Sequence, residues 1–220
     1  MKRMISGIIA SLLIAGSAHA ALLSRAGGQA YFDSGLDITW LADANYAQTM
    51  LYDNDGWLTW HEAQSWIDSL NAEADGVGHL GVNDWRLPNT VQPDASCSQQ
   101  FFGQSSGGGC SGSEMGHLYY VDGIESLTPG PFTRVEATGY WSGTPVEDDP
   151  GRAWRFSFKS GSGIQDHVGK TDVLHAWAVR SGDISQVPAP GAAWLLGTGL
   201  VMLGARASMI RRPPKLRLYA

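Results

Sequence analysis

The chain has 220 residues, a formal net charge of −6, nine tryptophans, 28 glycines and two cysteines. That length holds one domain with accessory termini rather than several domains. An acidic chain with nearly half of its basic residues at its two ends also lacks the basic footprint that binding to nucleic acid requires.

Lys2 and Arg3 precede an apolar run from Ile8 to Ile14, and Ala18-His19-Ala20 follows. A basic start, an apolar core too short to span and a small-x-small site predict a signal peptide over 1–20, cut between Ala20 and Ala21. After a lead-in over 21–30, Leu36, Ile38 and Trp40 alternate with Asp37 and Thr39, the period of a half-buried strand. Asp33-Ser34-Gly35 supplies the turn before it. Thr59 and Glu62 form a T-x-x-E capping box ahead of a helix to about Leu70, with Trp60, Ala63, Trp66, Ile67 and Leu70 on one face. Asp53, Asp55, Gly56 and Glu62 also fit positions 3, 5, 6 and 12 of a calcium loop, which makes calcium the one candidate cofactor. Leu51 at position 1 offers no carboxylate, and a turn feeding a capped helix accounts for the same residues.

Beyond this helix, Gly76-Val77-Gly78-His79-Leu80-Gly81 matches a dinucleotide fingerprint but follows a helix instead of a strand, so it reads as a loop. "NDWRLPN" is extended and broken at Pro88. Cys97 and Cys110 flank a Gly/Ser-rich stretch; an even cysteine count in an exported chain predicts a disulfide. Inside that loop, Gly103-Gln104-Ser105-Ser106-Gly107 matches the hydrolase G-x-S-x-G pattern, whose elbow needs a strand before it and a helix after it. Ser111 and Glu114 suggest a second capping box, opening a short helix through "MGHLYY". The last third reads as β: "YWSGT", "AWRFSFK" with Trp154, Phe156 and Phe158 on one face, and "HAWAVRSG" with Trp177 and Val179 inward. Glu147-Asp148-Asp149 is a solvated turn. The expected fold class is therefore α+β, two early helices and a small antiparallel sheet. His61, His79, His117, His167 and His175 show no pairing at ligand spacing and are read as surface or satisfied positions.

Without its ends, the segment 21–186 carries all 21 acidic residues but only eight basic ones, a net charge of −13. Such a surface suits cations or neutral ligands. Most of its eight tryptophans belong in the core, leaving one or two rings to stack on a sugar.

The tail has Pro188 and Pro190 in a linker over 184–190, then 15 uncharged residues over 191–205. At about 1.5 Å per residue these span roughly 22 Å, short of a hydrocarbon core of about 30 Å. Extension to 210 takes in Arg206, and Arg211 and Arg212 open a basic tail over 211–220 that stays cytoplasmic. "VPAPGAAWLLGTGLVMLG" followed by arginines resembles the PEP-CTERM sorting signal, with Val187-Pro188-Ala189-Pro190 where that signal usually has Val-Pro-Glu-Pro. The resemblance implies a partner, an exosortase-type membrane peptidase, that cuts near this motif after transient inner-membrane insertion. A permanent single-span anchor is the other reading.

Over 31–183, "GLDITWLADAN", "DGWLTWHEAQSWIDSLN", "NDWRLPN", "SEMGHLYY", "FTRVEATGYWSGT" and "HAWAVRSGD" resemble, in order, the Lcl C-terminal domain family, named from a collagen-like bacterial adhesin. The resemblance implies a C-type-lectin-like fold, shared with formylglycine-generating enzymes, and an extracellular, non-enzymatic module. Those enzymes use a late cysteine pair, whereas this chain has no Cys after Cys110. Gln92-Pro93-Asp94 is similar to the sugar-binding tripeptide of lectins, without its downstream Trp-Asn-Asp partner. The expected protein is thus an exported cell-surface or matrix component, associated with exopolysaccharide or biofilm, that binds a glycan or protein ligand. An exported hydrolase using Ser105 or a carboxylate site, and a structural surface protein without a ligand, are the alternatives.

Overall fold

The apolar alternation around Trp40 lies inside a sheet whose two faces are both covered. In the computed structural model, which describes residues 22–184, the elements run β1 (Leu22–Arg25), β2 (Ala30–Asp33), β3 (Ile38–Leu41), α1 (Tyr46–Thr49) and α2 (Trp60–Gly76). There follow β4 (Gln99–Phe101), β5 (Gln104–Ser106), α3 (Glu114–Tyr120), β6 (Gly139–Val146), β7 (Asp149–Ser157), β8 (Ile164–Gly169) and β9 (Val179–Ser181). The fold is mixed α+β with antiparallel sheets, as the pattern predicted.

One sheet has the order β1-β2-β3-β9, so the first strands are closed by the last, with Trp40 opposite Val179. All four residues of β3 are buried. Thr39, expected to face out, points into the interior instead, where its hydroxyl donates to the Gly182 carbonyl at 2.7 Å. An interior strand covered on both sides has no solvent face, which is why strict alternation fails here.

Helix α2 starts where expected. Thr59 Oγ1 accepts from the Glu62 N–H, and Glu62 Oε2 accepts from the Thr59 N–H at 2.8 Å, a complete capping box. Ala63, Trp66, Ile67 and Leu70 are its buried stripe. The element runs on to Gly76 but leaves helical geometry at Glu73, Ala74 and Asp75.

Helix α3 corrects a reading. Its N-cap is Ser113, not Ser111, and no side chain caps it. Glu114 turns instead to Arg86, accepting from Nη1 and Nη2 at 2.8 and 2.7 Å and from the Asn89 N–H at 2.7 Å. A paired guanidinium outcompetes a single backbone donor for that carboxylate.

The second sheet is the meander β6-β7-β8, in which Trp154 and Phe156, with Phe158 just beyond, face inward as the alternation required. Glu147 and Asp148 form its exposed first turn. The Cys97–Cys110 disulfide forms, and between its cysteines lies a hairpin, β4 with β5, that the Gly/Ser-rich composition concealed. Gly107 and Gln165 exchange backbone hydrogen bonds at 2.8 and 2.9 Å, docking the hairpin on β8.

The core is aromatic. Trp177 packs with Trp40, Phe132 and Phe158 at ring centroid distances of 5.1, 5.0 and 5.5 Å. Buried indoles also satisfy backbone carbonyls: Trp141 donates to that of Leu58 and Trp177 to that of Leu41 at the end of β3, each at 2.7 Å. Among the described residues no helix is long and apolar enough to cross a membrane. The signal peptide with its Ala20/Ala21 cut, the Val187-Pro188-Ala189-Pro190 motif, the apolar helix and the Arg211-Arg212 tail lie outside the described residues.

Candidate functional site

The Asp53-Asn54-Asp55-Gly56 run builds a turn that presents a tryptophan. Asp53 Oδ1 accepts from the N–H groups of Asp55 and Gly56 at 3.0 and 2.8 Å, and Asp55 Oδ1 accepts from that of Trp57 at 3.0 Å. Gly56 has φ +75°, and a Cβ there would overlap Asn45 Oδ1, so only glycine fits. The Asp53 carboxyl is held below its usual range chiefly by the Asp55 backbone N–H, and that of Glu62 chiefly by the Thr59 hydroxyl. The three carboxylates singled out for calcium therefore serve a turn and a helix cap. Among the described residues, the carboxylates of Asp53, Asp55 and Glu62 do not all converge to metal-ligand distance of one another.

Trp57 emerges from this turn 39% exposed, the one tryptophan of the described domain in that state. Its ring lies 4.5 Å from that of buried His175, whose Nδ1 is 2.7 Å from the Gly56 carbonyl. Burial lowers the His175 pKa, the Gly56 hydrogen bond working against it. The neutral ring, donating from Nδ1, closes the floor of a cleft of about 400 Å³ lined by Asn45, Gln48, Asp55, Trp57, Glu136 and Thr138. Asn45 is buried and its Oδ1 has no hydrogen-bond partner. An aromatic face beside amides, a hydroxyl and two exposed carboxylates suits a neutral, hydroxyl-rich or cationic ligand.

The other residues singled out in the sequence have structural partners. Ser105 is fully buried on β5; its hydroxyl accepts from the Asp94 N–H at 2.8 Å and donates to Gln100 Oε1 at 2.6 Å. It sits on a hairpin strand, not on the strand-to-helix elbow that would expose a nucleophile. Gln92 spends its amide on the Ser105 backbone, and Asp94 accepts from the N–H groups of Ser96 and Gly112. The lectin-like tripeptide thus anchors the disulfide-closed hairpin. Gly76–Gly81 is the irregular exit from α2, ending in one turn of 3-10 helix. Sequence reasoning counted the tryptophans but did not pick Trp57. The signal was the turn of three polar residues and glycine directly before it; nothing local connects that turn to Glu136 or His175.

The fold thus defines a small, disulfide-closed α+β domain with a polar cleft beside an exposed indole. The chain belongs to the Lcl C-terminal domain family, whose model matches residues 29–180. No curated protein matches it. Membership of this family suggests a surface or exported protein.

Proposed function

We propose that this chain is an exported cell-surface or matrix protein whose C-type-lectin-like, non-catalytic domain binds a neutral or cationic glycan in the cleft beside Trp57. The signal-peptide pattern before Ala21 and the disulfide support export into an oxidising compartment. The Val187-Pro188-Ala189-Pro190 motif, the apolar 191–210 segment and Arg211-Arg212 support passage through the inner membrane and release by an exosortase-type peptidase. The engagement of the Ser105 hydroxyl within the hairpin supports a binding role over hydrolysis. The observation that carries the reading is Trp57, kept 39% exposed by a dedicated turn while the other tryptophans among the described residues are buried or half-buried.

The test is a glycan array followed by calorimetry on the exported protein. Trp57→Ala is expected to weaken the best ligand at least about tenfold, near 1.4 kcal/mol, with the fold retained. Ser105→Ala is expected to leave affinity unchanged. Binding indifferent to Trp57 removes the cleft from the account, and an esterase activity lost with Ser105 makes the protein a hydrolase. Mass spectrometry from the native host checks the processing: ends near Ala21 and Val187 are expected, whereas a retained Arg212 means a permanent anchor.

A further inference from the structure

Among residues that do not line the Trp57 cleft, three buried polar atoms lie without partners. Asp33 closes β2, fully buried, and its Oδ1 accepts from the Gly35 and Leu36 N–H groups at 2.8 and 3.2 Å. That turn fixes the carboxylate and leaves Oδ2 buried without a hydrogen bond. His117 lies in α3 and Asp122 just beyond it; the Asp122 N–H donates to the His117 carbonyl at 3.3 Å, tying the two together. His117 Nε2 and Asp122 Oδ2 are likewise buried and unpartnered. Ligand atoms of all three residues lie within 4.8 Å of one another.

From this convergence we infer that Asp33, His117 and Asp122 form a binding site for a first-row divalent cation, for which zinc is the best match. Buried polar atoms are rarely left unmatched, and two carboxylates facing each other repel; one divalent cation answers all three lone pairs and both charges. An imidazole nitrogen among the donors disfavours calcium and magnesium, which take oxygen shells, and suits zinc. Tetrahedral ligands about 2.1 Å from zinc stand roughly 3.4 Å apart, so small side-chain movements complete the site. Water supplies the remaining coordination. Asp33 is buried, and His117 and Asp122 are half-buried. Once bound, the ion clamps the end of α3 to the turn between β2 and β3.

This site is independent of the glycan reading, and its test uses the full exported chain. The protein is stripped with a chelator and titrated with zinc chloride, while metal content and thermal unfolding are followed. One zinc per chain and a higher unfolding temperature are expected. His117→Gln and Asp122→Asn should each lose at least about tenfold in affinity, and Trp57→Ala should lose none. Asp33→Asn, which keeps the Oδ1 turn acceptor, is the variant that separates lost charge from lost fold. Wild-type protein that takes up neither zinc nor manganese overturns the inference. So does uptake that persists in both the His117 and Asp122 variants, or a response to calcium alone.

Discussion

Gly56 stands at the point where the Trp57 cleft is assembled. Its left-handed backbone turns the chain, and the absence of a side chain lets Asn45 reach in beneath it. Gly56→Ala adds a strained φ and an overlap with Asn45 Oδ1, so it should destabilise the domain by about 2–3 kcal/mol in chemical denaturation. A loss below about 0.5 kcal/mol would mean the turn can relax without cost. His175, under the same turn, carries a pH dependence of known sign. Its folded pKa is lowered by burial, so the unfolded chain takes up the proton first. The stability it supplies is complete above about pH 6.5 and is lost as the pH falls through the lowered folded value. Between about pH 7.5 and pH 5.5 the wild-type urea midpoint is expected to fall relative to that of His175→Gln; the absolute slope also carries Asp122, whose carboxyl burial pushes up and which works in the opposite direction. The slope of the variant does not vanish either, because burial and Arg152 lower His167 as well. An identical slope in the variant would clear His175.

At the scale of elements, carboxylates and sulfurs do the fastening. Glu114 leaves the helix cap to hold Arg86, and Arg86 exchanges backbone hydrogen bonds with Val179 on β9, so α3 is joined to the first sheet through one guanidinium. The disulfide closes 13 residues of sequence separation around β4 and β5. Replacing both Cys97 and Cys110 with Ser should cost about 3 kcal/mol by the chain-entropy argument. The loss should concentrate in the hairpin: amide exchange at residues 99–106 should quicken, whereas β7 should remain protected. Uniform loss of protection would show instead that the bridge supports the whole domain. At the tip of this hairpin Phe101 and Phe102 are exposed, their centroids 4.4 Å apart.

At the scale of the whole molecule, charge and closure dominate. The domain carries its net −13 on a surface with few basic groups, several of them already paired: Arg25 with Asp183, Arg86 with Glu114 and Arg180 with Asp84. Self-repulsion should therefore be measurable. Raising sodium chloride from about 10 mM to about 150 mM shortens the screening length from roughly 30 Å to 8 Å. The unfolding temperature is expected to rise by roughly 2–4 °C, about 1 kcal/mol. A temperature that falls with salt would mean that ion pairs outweigh the repulsion. Closure comes from β9, which brings the end of the domain beside its beginning and buries Trp177 against Trp40 and Phe132.

The sequence by itself determined what is local. Helix α2 and its cap, the inward face of β7 and the acidic balance each follow from residues a few positions apart, where backbone periodicity and short hydrogen bonds set the answer. The cysteine pairing was legible too, because only one pairing was available. Tertiary structure decided what depends on distant segments meeting. Thr39 is buried because β9 arrives from about 140 residues away; Glu114 answers to Arg86 and not to its own helix. His117, read from the sequence as a satisfied or surface histidine, faces Asp33 and Asp122, and Trp57 becomes a site only when Glu136 and His175 come up beside it. Propensity and spacing act along the chain, but burial and electrostatic pairing act through space, and a site is made by the second kind.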